Sequence, residues 1–421
     1  MSIVRNLYGA LTLAASFPLS LIMLASRRGR SRLKERFGLW SLSLPECLWF
    51  HGASLGEING LVPLMNRFKA QYPTLPILVT ATSISGLERA AGSADYVRLL
   101  PFDNSLWLKL AMRDVKPRAL VFAETELWPC LIDEVAACSV PLYLVNARIS
   151  DFSYSRYKAM RRLLEPSLKK ISFILTANEV SRLRFIELGA VPDRVKVAGN
   201  AKYDIKPLVA SSEEALKLRR LFFSDDHPTL VLGSLRPGEE DVWFPALKAA
   251  LQSGAKLNVV VAPRHQEKFD FFASRLNQVG LKFERWSERQ VAGCRQAADG
   301  KTIILLDTLG DLSRVYSFAD ASFIGATLVP LGGHNPLEPA PYRSCLVLGP
   351  YVNNVADIVE LLKEQGGCYA VKNSQDVKDF LSRFCARDEE LKLIGSKAFE
   401  VWQSMAGAVD RIMAHLKLQG V

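Results

Sequence analysis

The sequence is poor in the residues that staple or metallate a fold. Its seven cysteines, at 47, 130, 138, 294, 345, 368 and 385, contain no C-x-x-C pair, and no histidine cluster accompanies them. This excludes a zinc site and a disulfide framework and points to a reducing compartment. There is no G-x-x-x-x-G-K-[ST] phosphate loop, no G-x-S-x-G nucleophile elbow and no zinc-protease helix motif. Repeats and low-complexity tracts are absent too, and no metal or cofactor is expected. What is present is an ordinary folded composition, 49% apolar and 9% aromatic, which rules out wholesale disorder. A chain of 421 residues predicts two or three domains. A formal charge of +10 calls for an anionic partner: a membrane surface, a phosphorylated substrate or a nucleic acid.

Residues 6–26 carry no charge and are rich in Leu, Ala, Ile and Phe, a length about right for a bilayer-crossing helix. Arg27, Arg28, Arg30, Arg32, Lys34 and Arg36 follow at once and mark the cytoplasmic side. Near an anionic leaflet each can add about 1 kcal/mol of attraction. A secretory signal peptide is the rival. Against it stand the long apolar run, the thin amino-terminal charge and the lack of a small-x-small cleavage site. Pro18, with the Ser and Gly residues around it, leaves room for an interfacial helix lying on the membrane. Either form of anchor keeps the bulk of the chain cytoplasmic.

From residue 47 onward, short apolar runs alternate with amphipathic stretches, the pattern of a parallel α/β sheet. Strands are expected at 47–51, 77–82, 96–100, 119–123, 142–146, 173–176 and 195–198. Helices fall between them, among them 58–71, 106–113 and a basic one at 154–168. The pattern breaks around 204–212. A second series then places strands at 230–233, 258–262, 303–306, 321–325 and 346–348. The division is therefore an anchor with its basic flank at 1–40, a first Rossmann-like domain at 41–210 and a second at 211–421. A cleft between the two is expected.

Every unusual motif follows a predicted strand, where open α/β sheets bind ligands. The first half has His51-Gly52-Ala53-Ser54-Leu55-Gly56-Glu57, Glu124-Thr125-Glu126-Leu127-Trp128-Pro129, Asn146-Ala147-Arg148 and Gly199-Asn200-Ala201-Lys202. A carboxylate there can act as general base on a hydroxyl, and a cation such as Lys202 can stabilise developing negative charge. The plain structural reading of Glu57 is helix capping, because acids favour the first turn. Strand alternation would put Glu124 and Glu126 on one face. The second half has Gly233-Ser234-Leu235-Arg236-Pro237-Gly238-Glu239, Pro263-Arg264-His265, Asp307-Thr308-Leu309-Gly310-Asp311 and Gly332-Gly333-His334-Asn335-Pro336-Leu337-Glu338. In the last, Pro336 predicts a helix start whose free N–H groups suit a phosphate, with Glu338 placed for a ribose. For His51 and His334 a hydrogen-bonded structural role is the plainer reading.

The ordered set H-G-A-S-L-G-E, E-T-E-L-W-P, N-A-R, G-N-A-K, P-G-E-E, P-R-H and G-G-H-N-P-L-E-P resembles the 3-deoxy-D-manno-octulosonic acid (Kdo) transferases of lipopolysaccharide synthesis, over nearly the whole chain. The resemblance implies a GT-B fold, two Rossmann-like domains with the active site between them, and a terminal helix that returns to the first domain. It implies inverting transfer of Kdo from CMP-Kdo to a phosphorylated lipid A precursor, without a required metal, at the cytoplasmic face of the inner membrane. Glu57 falls at the catalytic-base position, and Glu126 and Lys202 at positions that stabilise the transition state. Pro263, Arg264, Leu309, Gly310, Asp311, Asn335, Pro336, Leu337 and Glu338 fall at CMP-binding positions.

Two departures lie on the donor side. Arg236 replaces the family's usual His, keeping a cation but changing its reach and removing titration near neutrality. Asp311 replaces the Glu of M-G-E, one methylene shorter. Three rivals remain open on sequence alone. One is a GT-B transferase using another nucleotide sugar on a lipid, and another is a catalytically dead membrane scaffold. The last is a nucleic-acid binder, for which no recognised motif is present.

Overall fold

The computed structural model describes residues 3–24, 30, 32–209, 211–291 and 302–418. Arg27, Arg28 and Cys294, singled out above, lie outside the described residues. The chain forms two compact units, residues 1–204 with 405–421 and residues 205–404. Residues 405–421 thus group with the first unit, not with the 211–421 division, and the dividing point falls at 204/205.

The first unit is built on a seven-stranded parallel sheet. Its strands are β1 Leu44–His51, β2 Ile77–Ala81, β3 Tyr96–Leu99, β4 Val115–Ala123, β5 Leu142–Ala147, β6 Phe173–Thr176 and β7 Val195–Val197, in the order β3-β2-β1-β4-β5-β6-β7. Central strands are buried on both faces, as their unbroken apolar runs require. One face packs Trp49, Phe122, Leu131 and Leu144, the other Phe50, Phe68, Val121 and Tyr143. Val409 and Ile412 of the Ala408–His415 helix join the second face. Gly407, in the left-handed region at φ 79°, ends the preceding helix and starts this one. The amides of Gly407 and Val409 donate to the Asp204 carboxylate at 2.8 and 2.7 Å, a charged cap on that helix start.

The second unit repeats the plan. Its strands are β8 Thr229–Leu235, β9 Asn258–Pro263, β10 Phe283–Arg285, β11 Ile303–Leu305, β12 Ala321–Ile324, β13 Cys345–Leu348 and β14 Tyr369–Ala370, in the order β10-β11-β9-β8-β12-β13-β14. β10 and β14 lie at the two edges and were not expected, because neither carries a buried apolar run. The basic helix expected at 154–168 is two helices, Asp151–Ala159 and Arg161–Leu168, parted at Met160.

The apolar amino-terminal segment forms one helix, Ile3–Leu24, long and apolar enough to cross a membrane. One face is docked on the first unit. Arg5 is buried and pairs with Asp133 and the Pro129 carbonyl, the Tyr8 hydroxyl donates to Asp103 at 2.8 Å, and the Asn104 amide donates to the Gly9 carbonyl at 2.8 Å. Leu7, Leu11 and Leu21 are exposed. The basic flank is not all free for a membrane. Arg32 donates to the Val97 carbonyl and Arg36 to the Leu100 carbonyl, each at 2.8 Å, so both serve the end of β3.

Candidate active site

In each sheet the chain reverses its direction of growth beside the first strand. That topological switch point falls between β1 and β4 in the first unit and between β8 and β12 in the second. The strands are parallel, so every motif named above leaves its sheet from the carboxyl edge.

In the first unit, β1 ends at His51 and the Leu55–Gln71 helix begins four residues on. Ser54 caps it: its hydroxyl accepts from the Glu57 amide at 3.3 Å and donates to Glu57 Oε1 at 3.0 Å. The Ala53 amide donates to Glu57 Oε2 at 2.7 Å. Glu57 therefore takes part in a variant of the capping box, reaching back to the amide of the residue before the cap. Capping does not exhaust the carboxylate, which offers about four acceptor positions and uses two here. Its pKa is raised to about 7, first by burial and next by the negative charge of Glu126, with Glu124 adding to it. The bonds from Ala53 and Ser54 pull the other way and are outweighed.

Glu124 and Glu126 do not continue β4 as alternation predicted. The strand stops at Ala123, Glu124 takes a left-handed φ of 53°, and the chain turns. Glu126 is then held by one hydrogen bond and lies close to a buried histidine. The Trp128 indole N–H donates to its Oε2 at 2.6 Å, and His51 Nε2 lies 3.4 Å from the same oxygen. His51 is wholly buried, with Nδ1 3.0 Å from both oxygens of Thr80 on β2. Asn146, at a left-handed φ of 52° near the end of β5, ties the remaining loop in. It donates to the Gly60 carbonyl at 3.2 Å and accepts from the Ala201 amide at 2.8 Å. A Cβ on Gly60 would lie 3.8 Å from the Lys202 side chain. Lys202 is thus brought beside the helix that carries Glu57, one turn further along. His51 has the hydrogen-bonded structural role expected of it, whereas sequence reasoning gave Trp128 and Asn146 no part in this frame, although each stands in a motif singled out at a strand end.

The second unit gathers the motifs of the second half. Glu239 is fully buried, and its two oxygens accept from the amides of Arg236 (2.8 Å), Thr327 and Leu328 (3.0 Å each). It thereby joins the loops after β8 and β12 across the switch point. Burial raises its pKa while these amides oppose the shift. Gly233 has no alternative here, since an added Cβ would sit 1.9 Å from the Tyr316 hydroxyl. Arg236 contacts His265 Nε2. Arg264 is exposed just past β9, its amide donating to the Leu235 carbonyl at 3.2 Å. Its positive charge is felt by Glu338, whose pKa is nonetheless raised by burial, and by His334, held neutral with a pKa lowered to about 4 by burial and the nearby cations. Leu309 is exposed, Gly310 has φ 91°, and Asp311 accepts from the Thr308 hydroxyl at 2.6 Å.

One expectation fails. No α-helix starts at Pro336: residues 336–339 form turns and bends, followed by a single 3-10 turn, Ala340–Tyr342. Pro336, Pro339 and Pro341 remove three amides within six residues, and each disfavours helical geometry in the residue before it. The Asn335 side chain instead accepts from the Leu337 amide at 3.1 Å. The phosphate site expected at a helix start is therefore not formed, while Arg236 and Arg264 stand close to His334 on this edge.

Comparison with known proteins follows this division. Residues 31–205 match the family model described as 3-Deoxy-D-manno-octulosonic-acid transferase (kdotransferase). The 3-deoxy-D-manno-octulosonic acid transferase of Haemophilus influenzae is 29% identical over 409 residues, 95% of this chain and 94% of that protein. Its counterpart in Chlamydia trachomatis serovar D is 31% identical over 325 residues, 76% of this chain and 73% of that protein. Among solved structures, UDP-GlcNAc 2-epimerase from Neisseria meningitidis, bound to UDP-GlcNAc, covers 88% of this chain and 99% of its own at a TM-score of 0.53 and 12% identity. That likeness speaks to the fold alone, two Rossmann-like halves of the GT-B type. With two such sheets and an identity of this extent to named transferases, the chain belongs to the 3-deoxy-D-manno-octulosonic acid transferase family and is a glycosyltransferase.

Proposed function

We propose that this protein transfers Kdo from CMP-Kdo to a phosphorylated lipid A precursor, with inversion, at the cytoplasmic face of the inner membrane. The observation that carries the mechanism is Glu57, a carboxylate whose pKa of about 7 matches a general base working near neutrality. Glu57 takes the proton of a sugar hydroxyl on the acceptor. The hydroxyl oxygen attacks the anomeric carbon of Kdo from the face opposite the nucleotide, the bond from that carbon to the phosphate oxygen breaks, and CMP leaves with the electron pair.

Glu126 and Lys202 attend the charge that develops, Glu126 held by the Trp128 indole. Arg264 and Arg236 counter the charge of the departing phosphate. Pro263, the turn Leu309-Gly310-Asp311 and the segment Asn335-Pro336-Leu337-Glu338 receive CMP. The Ile3–Leu24 helix, with its exposed leucines and isoleucines, supports attachment to a membrane in which the lipid acceptor resides.

The test is a transfer assay with freshly generated CMP-Kdo and a tetraacyl lipid A precursor, products read by mass. The expected result is a gain of one or more Kdo units. A folded, CMP-binding protein that gives no product with CMP-Kdo but accepts a UDP-sugar would overturn the donor assignment.

A further inference from the structure

A cavity of about 380 Å³ lies between the Ile3–Leu24 helix and the carboxyl edge of the first sheet. Ala15, Leu19 and Ile22 form its helical wall, and Leu100, Phe102 and Trp128, from the loops after β3 and β4, form the opposite one. The volume falls in the range of small-molecule sites.

Two members of the lining belong to the frame of the acidic site. Trp128 holds Glu126 through its indole N–H. The Thr82 hydroxyl donates to the Ala53 carbonyl at 2.9 Å, and the Ala53 amide holds Glu57. The cavity therefore backs directly onto the supports of both carboxylates. Part of its helical wall also belongs to the chain's apolar exterior: Leu19 and Ile22 are 46% and 70% exposed. The lining also holds one cation, Arg36, whose guanidinium Nε is buried without a hydrogen-bond partner. The one carboxylate in the lining, Asp103, is already taken up by the Tyr8 hydroxyl and the amides of Cys130 and Leu131, so the mainly apolar chamber with Arg36 at its edge suits a molecule that is apolar along its length and anionic at its head.

We propose that this cavity receives an acyl chain of the phosphorylated glycolipid acceptor, so that the chain positions the sugar hydroxyl at Glu57. The proposal rests on the lipid-acceptor reading above. It gives the docked face of the amino-terminal helix a role in substrate recognition beyond attachment.

The experiment uses the full chain in nanodiscs and compares the tetraacyl acceptor with its deacylated, still phosphorylated disaccharide. Ala15→Phe, which fills the cavity, should raise KM for the tetraacyl acceptor about tenfold with kcat retained, and leave KM for the deacylated one unchanged. Leu11→Phe, on the outward face, should change neither. An equal rise for both acceptors, or no rise, would overturn the proposal. A second readout does not depend on turnover. A tetraacyl acceptor carrying a diazirine on one acyl chain should label peptides containing Ile22 or Phe102, and unlabelled acceptor but not phosphatidylethanolamine should chase the label. Labelling elsewhere, or equal chase by phosphatidylethanolamine, would also overturn it. If the wild type transfers Kdo to neither acceptor yet the label maps to the cavity, the transfer reading fails and the lipid site stands.

Discussion

His51 Nε2 lies 3.4 Å from Glu126 Oε2, and the histidine is wholly buried between that carboxylate and Thr80. The pair matters because Glu126 carries the largest charge effect on Glu57. Neutralising Glu126 should lower the pKa of Glu57. In Glu126→Gln, the acidic limb of the kcat/KM profile should therefore move below its wild-type midpoint near 7, while kcat falls through the loss of charge beside the reacting centre. A pH–rate series on both proteins checks it. An unmoved limb would separate the two carboxylates electrostatically.

Removing Glu239 should cost stability and donor binding together. Its carboxylate satisfies three amides in two loops. Glu239→Ala strands them, at roughly 1–3 kcal/mol for each group left unsatisfied in the interior. Glu239→Gln, with one acceptor oxygen, should recover part of the loss. Thermal unfolding and CMP titration should move in the same order for the two variants.

Gly233→Ala should destabilise the second unit, because the new methyl meets the Tyr316 hydroxyl. Overpacking of this kind costs about 1–3 kcal/mol. Adding Tyr316→Phe removes the first atom in the way and should restore part of the stability. A double-mutant cycle by denaturant unfolding measures the coupling.

His334 is predicted to stay neutral in the folded protein down to about pH 4. Its folded pKa is depressed below the unfolded value of about 6.5, so the unfolded chain binds the proton first. The stability linked to this residue is therefore whole above the unfolded value and is lost as the pH falls from there toward 4. His334→Gln should flatten that part of the stability profile, and imidazole resonances should show no His334 titration between about pH 5 and about pH 8.

The strand pattern was readable because buried parallel strands carry apolar runs, which fill most of β2, β5, β8 and β9 and the carboxyl-terminal halves of β1 and β4. β10 and β14 escaped because edge strands of two or three part-exposed residues carry no such signal. The carboxyl-edge motifs were readable as motifs, but not the contacts that organise them. The Glu126–Trp128 bond depends on a turn that alternation did not foresee, and the roles of Asn146 and Glu239 depend on loops far apart in sequence. The missing helix at Pro336 had a visible cause, since the prolines that recommend a helix start are too many to let one continue. The apolarity of the amino-terminal helix was legible, whereas its docking through Arg5 and Tyr8 needed the fold.

The most direct measurement is transfer by Glu57→Gln, with CMP binding measured on the same preparation. Gln keeps the side-chain shape and an oxygen to accept from the Ala53 amide, so the loop and the donor unit should stay folded and bind CMP as the wild type does. The account predicts loss of transfer by a factor of at least about 10²–10⁴, the usual contribution of a general base. Transfer near the wild-type rate, with CMP binding intact, would contradict it and leave Glu57 a helix cap.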